Sequence, residues 1–288
     1  MTKIELNIHG SLHCFDGPQV MGIVNVTPDS FWEGSRMHRD SDRIRQRAVQ
    51  ILTEGGTMID VGAYSTRPGA PDVTPKEELD RLAFALGIIR QEVGQEVPIS
   101  VDTFRADVAR TCITELGADI INDISGGTLD DAMLRVVADT GAPYVMMHMR
   151  GTPQTMQLCV DYPEGVTSEV IRFFRKQLSA LSVIAQGRSM QVILDPGYGF
   201  AKTLEQNYEL MRQLPQIYEA FPQLPILVGI SRKSMIYRYL DTDPAHALNG
   251  TTVLNTFALQ HGASILRVHD VREAVEAVRI IQLLNPHS

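Results

Sequence analysis

Eight short apolar runs in this chain each end in a polar or charged group: Asn25, Ser65-Thr66-Arg67, Asp102, Asn122-Asp123, His148, Asp195, Ser231-Arg232-Lys233 and Arg267-Val268-His269. Their types fall into two sets. Asp102, Asn122 and Asp195 offer acceptors, and Asn122 offers donors too. Such a set suits a heterocycle that presents neighbouring N–H groups along one edge. A carboxylate can take two parallel bonds from a guanidine-like edge, and its charge strengthens both. At about 1.5–3 kcal/mol for a bond to a charged group, one misplaced acceptor costs about ten- to a hundredfold in affinity. Asn25, Thr66, Arg67, Arg267 and His269 instead suit a phosphate-rich group with a divalent cation. Magnesium prefers oxygen ligands, keeps several waters and is often shared with substrate phosphates, so one Asn carbonyl plus diphosphate oxygens could hold it.

Each of these residues also has a plainer reading. Asp102 and Asp195 could cap helices or form turns, Asn122 could make an Asx-turn, Arg232 and Lys233 could be solvated, and His269 could be structural. Convergence of all of them on one opening is harder to explain that way.

The elements that would bring them together are legible. The apolar runs, rich in β-branched residues, fall at 20–26, 58–61, 99–101, 120–121, 144–147, 192–194, 226–230 and 265–268, and longer amphipathic stretches follow them. Val170, Phe173, Phe174, Leu178 and Leu181 place one apolar stripe on a helix. A last helix is expected after Asp270, with Glu273 in a capping-box-like position and Val271, Ala274, Val275, Val278 and Ile281 inward. Residues 3–15 alternate around His9-Gly10, which suggests a hairpin over a barrel floor. Eight strand–helix units most simply close into a (β/α)8 TIM barrel, a single domain over 1–288, with its chemistry at the C-terminal strand ends. The rival, an open doubly wound sheet, would carry a glycine-rich phosphate turn after its first strand; here that strand runs into Asn25-Val26-Thr27-Pro28.

Bulk properties narrow the partners. The 288 residues are 44% hydrophobic, enough for one large core or two modest ones, and their net charge of −8 lacks the basic excess of a nucleic-acid binder. Cys14, Cys112 and Cys159 are scattered and odd in number, which argues against a disulfide framework or zinc site. No run approaches the roughly 18 apolar residues of a membrane span, and the start lacks a signal-peptide core. A soluble cytoplasmic protein with small-molecule substrates is expected.

The segments MGIVNVTPDSF (21–31), STRPGA (65–70), SVDTF (100–104), INDISGG (121–127), LDPGYGF (194–200), GISRKS (229–234) and RVHDV (267–271) resemble, in order, the signatures of dihydropteroate synthases. Together they cover almost the whole chain. The resemblance implies a (β/α)8 barrel, usually a homodimer, with magnesium as cofactor. It implies a transferase of folate biosynthesis that condenses (7,8-dihydropterin-6-yl)methyl diphosphate with p-aminobenzoate, a substrate that sulfonamides mimic. By motif match, Asp102, Asn122, Asp195 and Lys233 would hold the pterin, with Met147 and Phe200 as apolar contacts. Thr66, Arg67, Arg267 and His269 would hold the diphosphate and Asn25 the magnesium. Phe31, Pro68 and Ser234 would wall the p-aminobenzoate pocket, and Arg67, Lys233 and Asp102 would serve catalysis. Departures lie at Trp32-Glu33-Gly34, where the family has a small residue, Asp and Gly, and at Ala63-Tyr64, where it has Gly-Glu. Two other functions share the pterin pocket. A corrinoid-dependent methyltransferase would not need the anion set, and a non-catalytic pterin-binding paralogue would bind without condensing.

Overall fold

The computed structural model of the chain describes residues 4–27, 37–65 and 72–284, with side chains in the first helix from residue 41 onward. It opens with a hairpin, β1 (Ile4–Ile8) against β2 (Ser11–Phe15). The turn residues His9 and Gly10 both have positive φ, the conformation that matches the twist of a two-residue hairpin. Eight strands follow: β3 (Gln19–Asn25), β4 (Met58–Gly62), β5 (Ile99–Asp102), β6 (Ile120–Asp123), β7 (Tyr144–Met147), β8 (Val192–Asp195), β9 (Leu227–Val228) and β10 (Ile265–Val268). They pair in parallel in the order β8-β7-β6-β5-β4-β3-β10-β9, and a parallel bridge from Leu194 to Ile226 joins the two outer strands. The expected (β/α)8 barrel is the fold. β9 is shorter than the run 226–230 because the chain turns out of the sheet after Val228, with Lys233 N–H bonded to Ile230 O.

The outer layer is α1 (Met37–Thr53), α2 (Pro75–Val93), α3 (Ala106–Thr114), α4 (Met133–Thr140), α5 (Val166–Ile184), α6 (Leu204–Arg212), α7 (Leu214–Ala220), α8 (Ser234–Tyr237), α9 (Leu248–Gln260) and α10 (Val271–Leu284). Local chemistry sets several of their ends. Thr74 and Glu77 form a reciprocal capping box at α2, with Pro75 in the first turn, and Thr203 and Gln206 do the same at α6. On α5, Val170, Phe174 and Leu181 are buried while Phe173 and Leu178 are half-buried; on α10 the whole expected face is buried. Asp270, expected to start α10 as a cap, has both carboxylate oxygens bonded to the Arg232 guanidinium, at 2.7 and 2.9 Å.

Strand parity divides the apolar residues in two, because successive side chains on a strand face opposite ways. One parity, including Val20, Ile59, Val61, Val101, Ile121, Tyr144, Leu194 and Val268, packs outward on the helices. The other contributes Met21, Met58, Ile120, Val145, Ile193, Leu227 and Ile265 to a separate cluster inside the barrel. Ile4, Leu6 and Ile8 of the hairpin complete that cluster, so the floor is closed as expected. Gly22 lies on the outward face of β3, where a β-carbon would stand 2.6 Å from Ile51 of α1. The missing side chain lets that helix seat against the strand.

Candidate active site at the barrel mouth

Two residues beyond each floor side chain the same inward parity reaches the mouth, and there the chemistry changes. Met58 leads to Asp60, Ser100 to Asp102, Ile120 to Asn122, Val145 to Met147, Ile193 to Asp195 and Ile265 to Arg267. Arg267 reaches across this layer. Its Nε donates to Asp60 Oδ2 at 2.7 Å, and its Nη2 lies 2.6 Å from the same oxygen and 2.7 Å from Asp102 Oδ2. Asn122 Nδ2 donates to Asp60 Oδ1 at 3.2 Å. A carboxylate only accepts, so the Asn122 amide must turn its NH2 toward Asp60, which leaves its carbonyl free to receive a ligand N–H.

The electrostatics follow from this packing. Burial opposes the Arg267 charge, but the Asp60 and Asp102 carboxylates override it and hold the guanidinium above its ordinary value. Burial pushes the Asp102 carboxyl above the usual carboxylate range, against the attraction of Arg267, while Asp60, Glu78 and Asp123 add to the rise. Asp102 is not a helix cap: the first N–H of α3, at Ala106, is taken by Asp130 at 2.8 Å. Nor does Asn122 make an Asx-turn. Asp195 does form a turn, accepting from Gly197 N at 2.8 Å through Oδ1. Its Oδ2 and the Arg267 Cβ both come within 4 Å of the point where a Gly229 β-carbon would stand.

The segment 195–200 then frames one wall. Lys233 Nζ donates to Tyr198 O at 2.6 Å and stands 4.7 Å from the centre of the Phe200 ring. Burial lowers the Lys233 ammonium to about 8, against the pull of Asp195. Met147 packs in a small apolar cluster with Ile124, Met149, Met156 and Ala201, and Phe200 leans on it. Gly197 has φ +72°, and a β-carbon there would lie 2.0 Å from the His148 carbonyl oxygen, so this turn has room for glycine alone. His148 itself is fully buried beneath the wall; Lys202 Nζ reaches its Nδ1 at 3.0 Å, Gly197 O at 2.9 Å and Phe200 O at 3.0 Å.

On the opposite side of Arg267, Asn25 closes β3, and its Oδ1 and Asp102 Oδ2 both lie within 4 Å of where a Gly62 β-carbon would stand. His269 follows β10, with Ser231 beside its Nδ1 and Arg47 Nη2 donating to its backbone carbonyl at 2.5 Å. Ser234 opens α8, half-buried next to Lys233. Arg232 is not a solvated mouth residue; besides Asp270 it donates to the Pro244 and Ala245 carbonyls, both at 2.9 Å. Phe31, Thr66, Arg67 and Pro68 lie outside the described residues, as do Trp32, Glu33 and Gly34. Tyr64, at the edge of the described rim, packs edge-on against Phe104, with ring centres 5.2 Å apart.

The fold thus gathers Asp102, Asn122, Asp195, Lys233, Met147 and Phe200 around one cavity mouth, with Arg267, His269 and Asn25 alongside. The reading from sequence missed Asp60 and Lys202. Asp60 carried a usable signal: it stands two residues after Met58, in the parity that brings Asp102 after Ser100.

A closed barrel whose inward acceptors adjoin a cationic rim is the architecture of the pterin-binding enzymes, and residues 21–269 match the family described as pterin binding enzyme. A dihydropteroate synthase of Synechocystis sp. is 44% identical over 269 residues, covering 92% of this chain and 89% of that protein. The Yersinia pestis dihydropteroate synthase, solved with a sulfonamide drug complex, superposes with a TM-score of 0.87 at 39% identity and covers 98% of this chain and 100% of that one. The Xanthomonas albilineans enzyme with 4-aminobenzoic acid gives 0.87 at 33% identity, covering 100% of both chains. The chain belongs to the dihydropteroate synthase family.

Two outcomes are expected from the geometry. Asp60→Ala leaves Arg267 short of a buried carboxylate and Asn122 without its anchor, so stability should fall by about 3–5 kcal/mol. Denaturant titration measures this, and an unchanged midpoint would show that the ion cluster is dispensable. Second, an N–H edge needs Asp102 ionised, and its raised value means that charge is lost on mild acidification. Pterin affinity should therefore be greatest near neutrality, declining on mild acidification as Asp102 and then Asp195 take up protons, and again above about pH 8 as Lys233 loses its own. Fluorescence titration should find the acid-side decline shallower in Asp102→Asn, with Asp195 supplying what remains; an equal slope in both would exclude Asp102 as a source.

Proposed function

We propose that the barrel mouth joins the methylene of (7,8-dihydropterin-6-yl)methyl diphosphate to the amine of p-aminobenzoate. The chain is a transferase of folate synthesis, releasing diphosphate and 7,8-dihydropteroate. The observation that carries this reading is the single inward layer in which Asp102, Asn122 and Asp195 stand beside Arg267.

The pterin edge donates to Asp102, Asp195 and the free Asn122 carbonyl, while Lys233, held by Tyr198, contacts a ring acceptor between Met147 and Phe200. Asp102 has one oxygen committed to Arg267 and offers the other. Arg267, with Nε and Nη2 committed, presents Nη1 to the diphosphate, joined by His269, Thr66 and Arg67. The C–O bond to diphosphate breaks ahead of C–N bond formation, and ring nitrogen donation spreads the positive charge left on the methylene. Asp102 and Asp195 stabilise that charge, and the cationic rim stabilises the departing oxygens. The arylamine brings a free lone pair, so no strong base precedes attack; its surplus proton passes to the departing diphosphate or to water once the C–N bond exists. Phe31, Pro68 and Ser234 orient it and exclude water. Sulfonamides, bound by the Yersinia pestis relative, would occupy this same pocket.

Asn25 fits a magnesium site of a particular kind. Its side chain has no bonding partner among the described residues, and these contain no group of three or more His, Cys, Asp and Glu suited to a metal. One neutral oxygen suits an ion that draws its other ligands from water and diphosphate. Magnesium, when bound, would neutralise charge on the diphosphate.

We further propose a cytoplasmic homodimer formed through α9 and α10. Val253 and Ile280 stand exposed on these helices, with Leu283 and Leu284 at the end of α10. No described helix is long and apolar enough to cross a membrane.

The central test is one tube with protein, magnesium, pterin diphosphate and p-aminobenzoate. Diphosphate and dihydropteroate should appear in equal amounts; substrate binding without either product would refute the reaction. Light scattering should find Ile280→Glu monomeric where the native chain is dimeric, and an unchanged mass would move the interface elsewhere.

A further inference from the structure

Ser231 and His269 follow the neighbouring strands β9 and β10 and meet at the barrel seam. Ser231 Oγ lies 3.1 Å from the His269 backbone N and 3.1 Å from its Nδ1. A backbone N–H can only donate, so Oγ accepts there, and its own hydrogen remains to be placed. Ser231 is 5% exposed, and its hydroxyl has no third hydrogen-bond partner, backbone or side chain, among the described residues. If Nδ1 carried a proton, Oγ would accept twice and the hydroxyl hydrogen would be buried without an acceptor, an arrangement that folded proteins avoid. The satisfied arrangement sends that hydrogen to Nδ1, which places the ring proton on Nε2. Nε2 has no partner among the described residues.

We propose that Ser231 is a positioning residue that fixes His269 as a neutral imidazole, its Nε2–H free to donate to the diphosphate. The ligand rests on the proposed function; the tautomer does not. Electrostatics point the same way. Burial, with Arg267, Arg47 and Arg232 outweighing Asp270, lowers His269 to about 4, so the ring stays uncharged near neutrality. The rim thereby gains a directed donor without another cation crowding Arg267. A neutral donor also holds an anion less tightly than an imidazolium would, which favours release of diphosphate after the chemistry.

Nitrogen-15 spectra of histidine-labelled protein read the tautomer directly. The native chain should show His269 as the Nε2–H form near neutral pH. Ser231→Ala should mix the tautomers and weaken diphosphate binding about three- to tenfold while leaving a pterin that lacks diphosphate unaffected. Ser231→Thr, which keeps the hydroxyl, should restore both. A native His269 that is cationic or protonated on Nδ1 overturns the proposal, and this holds even if Ser231→Ala does not fold. Undiminished diphosphate binding by a folded Ser231→Ala also overturns it. Should the native chain bind no diphosphate while keeping the Nε2–H form, the proposed function falls, and with it the ligand assigned here.

Discussion

A guanidinium held inside a barrel between two aspartates is the constraint from which the rest of the mouth follows. Arg267 is costly to bury, and so are Asp60 and Asp102; together, at 2.6–2.7 Å, they offset one another. Once Arg267 spans this gap, its neighbours have little freedom. Asp60 must receive the Asn122 amide on its other oxygen, which orients the Asn122 carbonyl toward the mouth. Asp102 keeps only one uncommitted oxygen. The acceptor pattern that suits a pterin edge is therefore set largely by how Arg267 is neutralised.

A second layer of support lies behind the 195–200 turn. Lys202 has three protons and three acceptors, two of them the carbonyls at Gly197 and Phe200. That turn carries the N–H bonded to Asp195, the carbonyl that receives Lys233, and the Phe200 ring beneath its ammonium. Lys202 and His148 are buried behind the wall and bonded to each other and to its carbonyls, and burial lowers Lys202 to about 7 and holds His148 well below its ordinary range. They are structural chemistry in service of the wall.

Much of this is legible in the sequence. β-Branched runs declared the strands, and the polar residues at or next to the end of each run gave Asp102, Asn122, Asp195 and Arg267. What stayed hidden was what depends on partners distant in the chain. Asp60 holds the same penultimate place in the run 58–61 that Arg267 holds in 265–268, but Val61-Gly62-Ala63 follow it where His269 follows Arg267, so it read as part of a strand; strand parity and Arg267 reveal it. Arg232 read as a mouth residue because sequence does not show that Asp270, 38 positions later, captures it. Lys202 looked like any lysine after a loop, since three acceptors converging on one ammonium leave no local pattern.

The hairpin beneath the barrel carries a kinetic meaning. With Ile4, Leu6 and Ile8 sealing one end, the described residues leave the opposite mouth as the doorway. In the proposed reaction the bicyclic ring lodges against the inward layer and the amine sits nearer the threshold. An arylamine that arrives early would then stand in the path of the pterin. The product must back out with its aryl end leading.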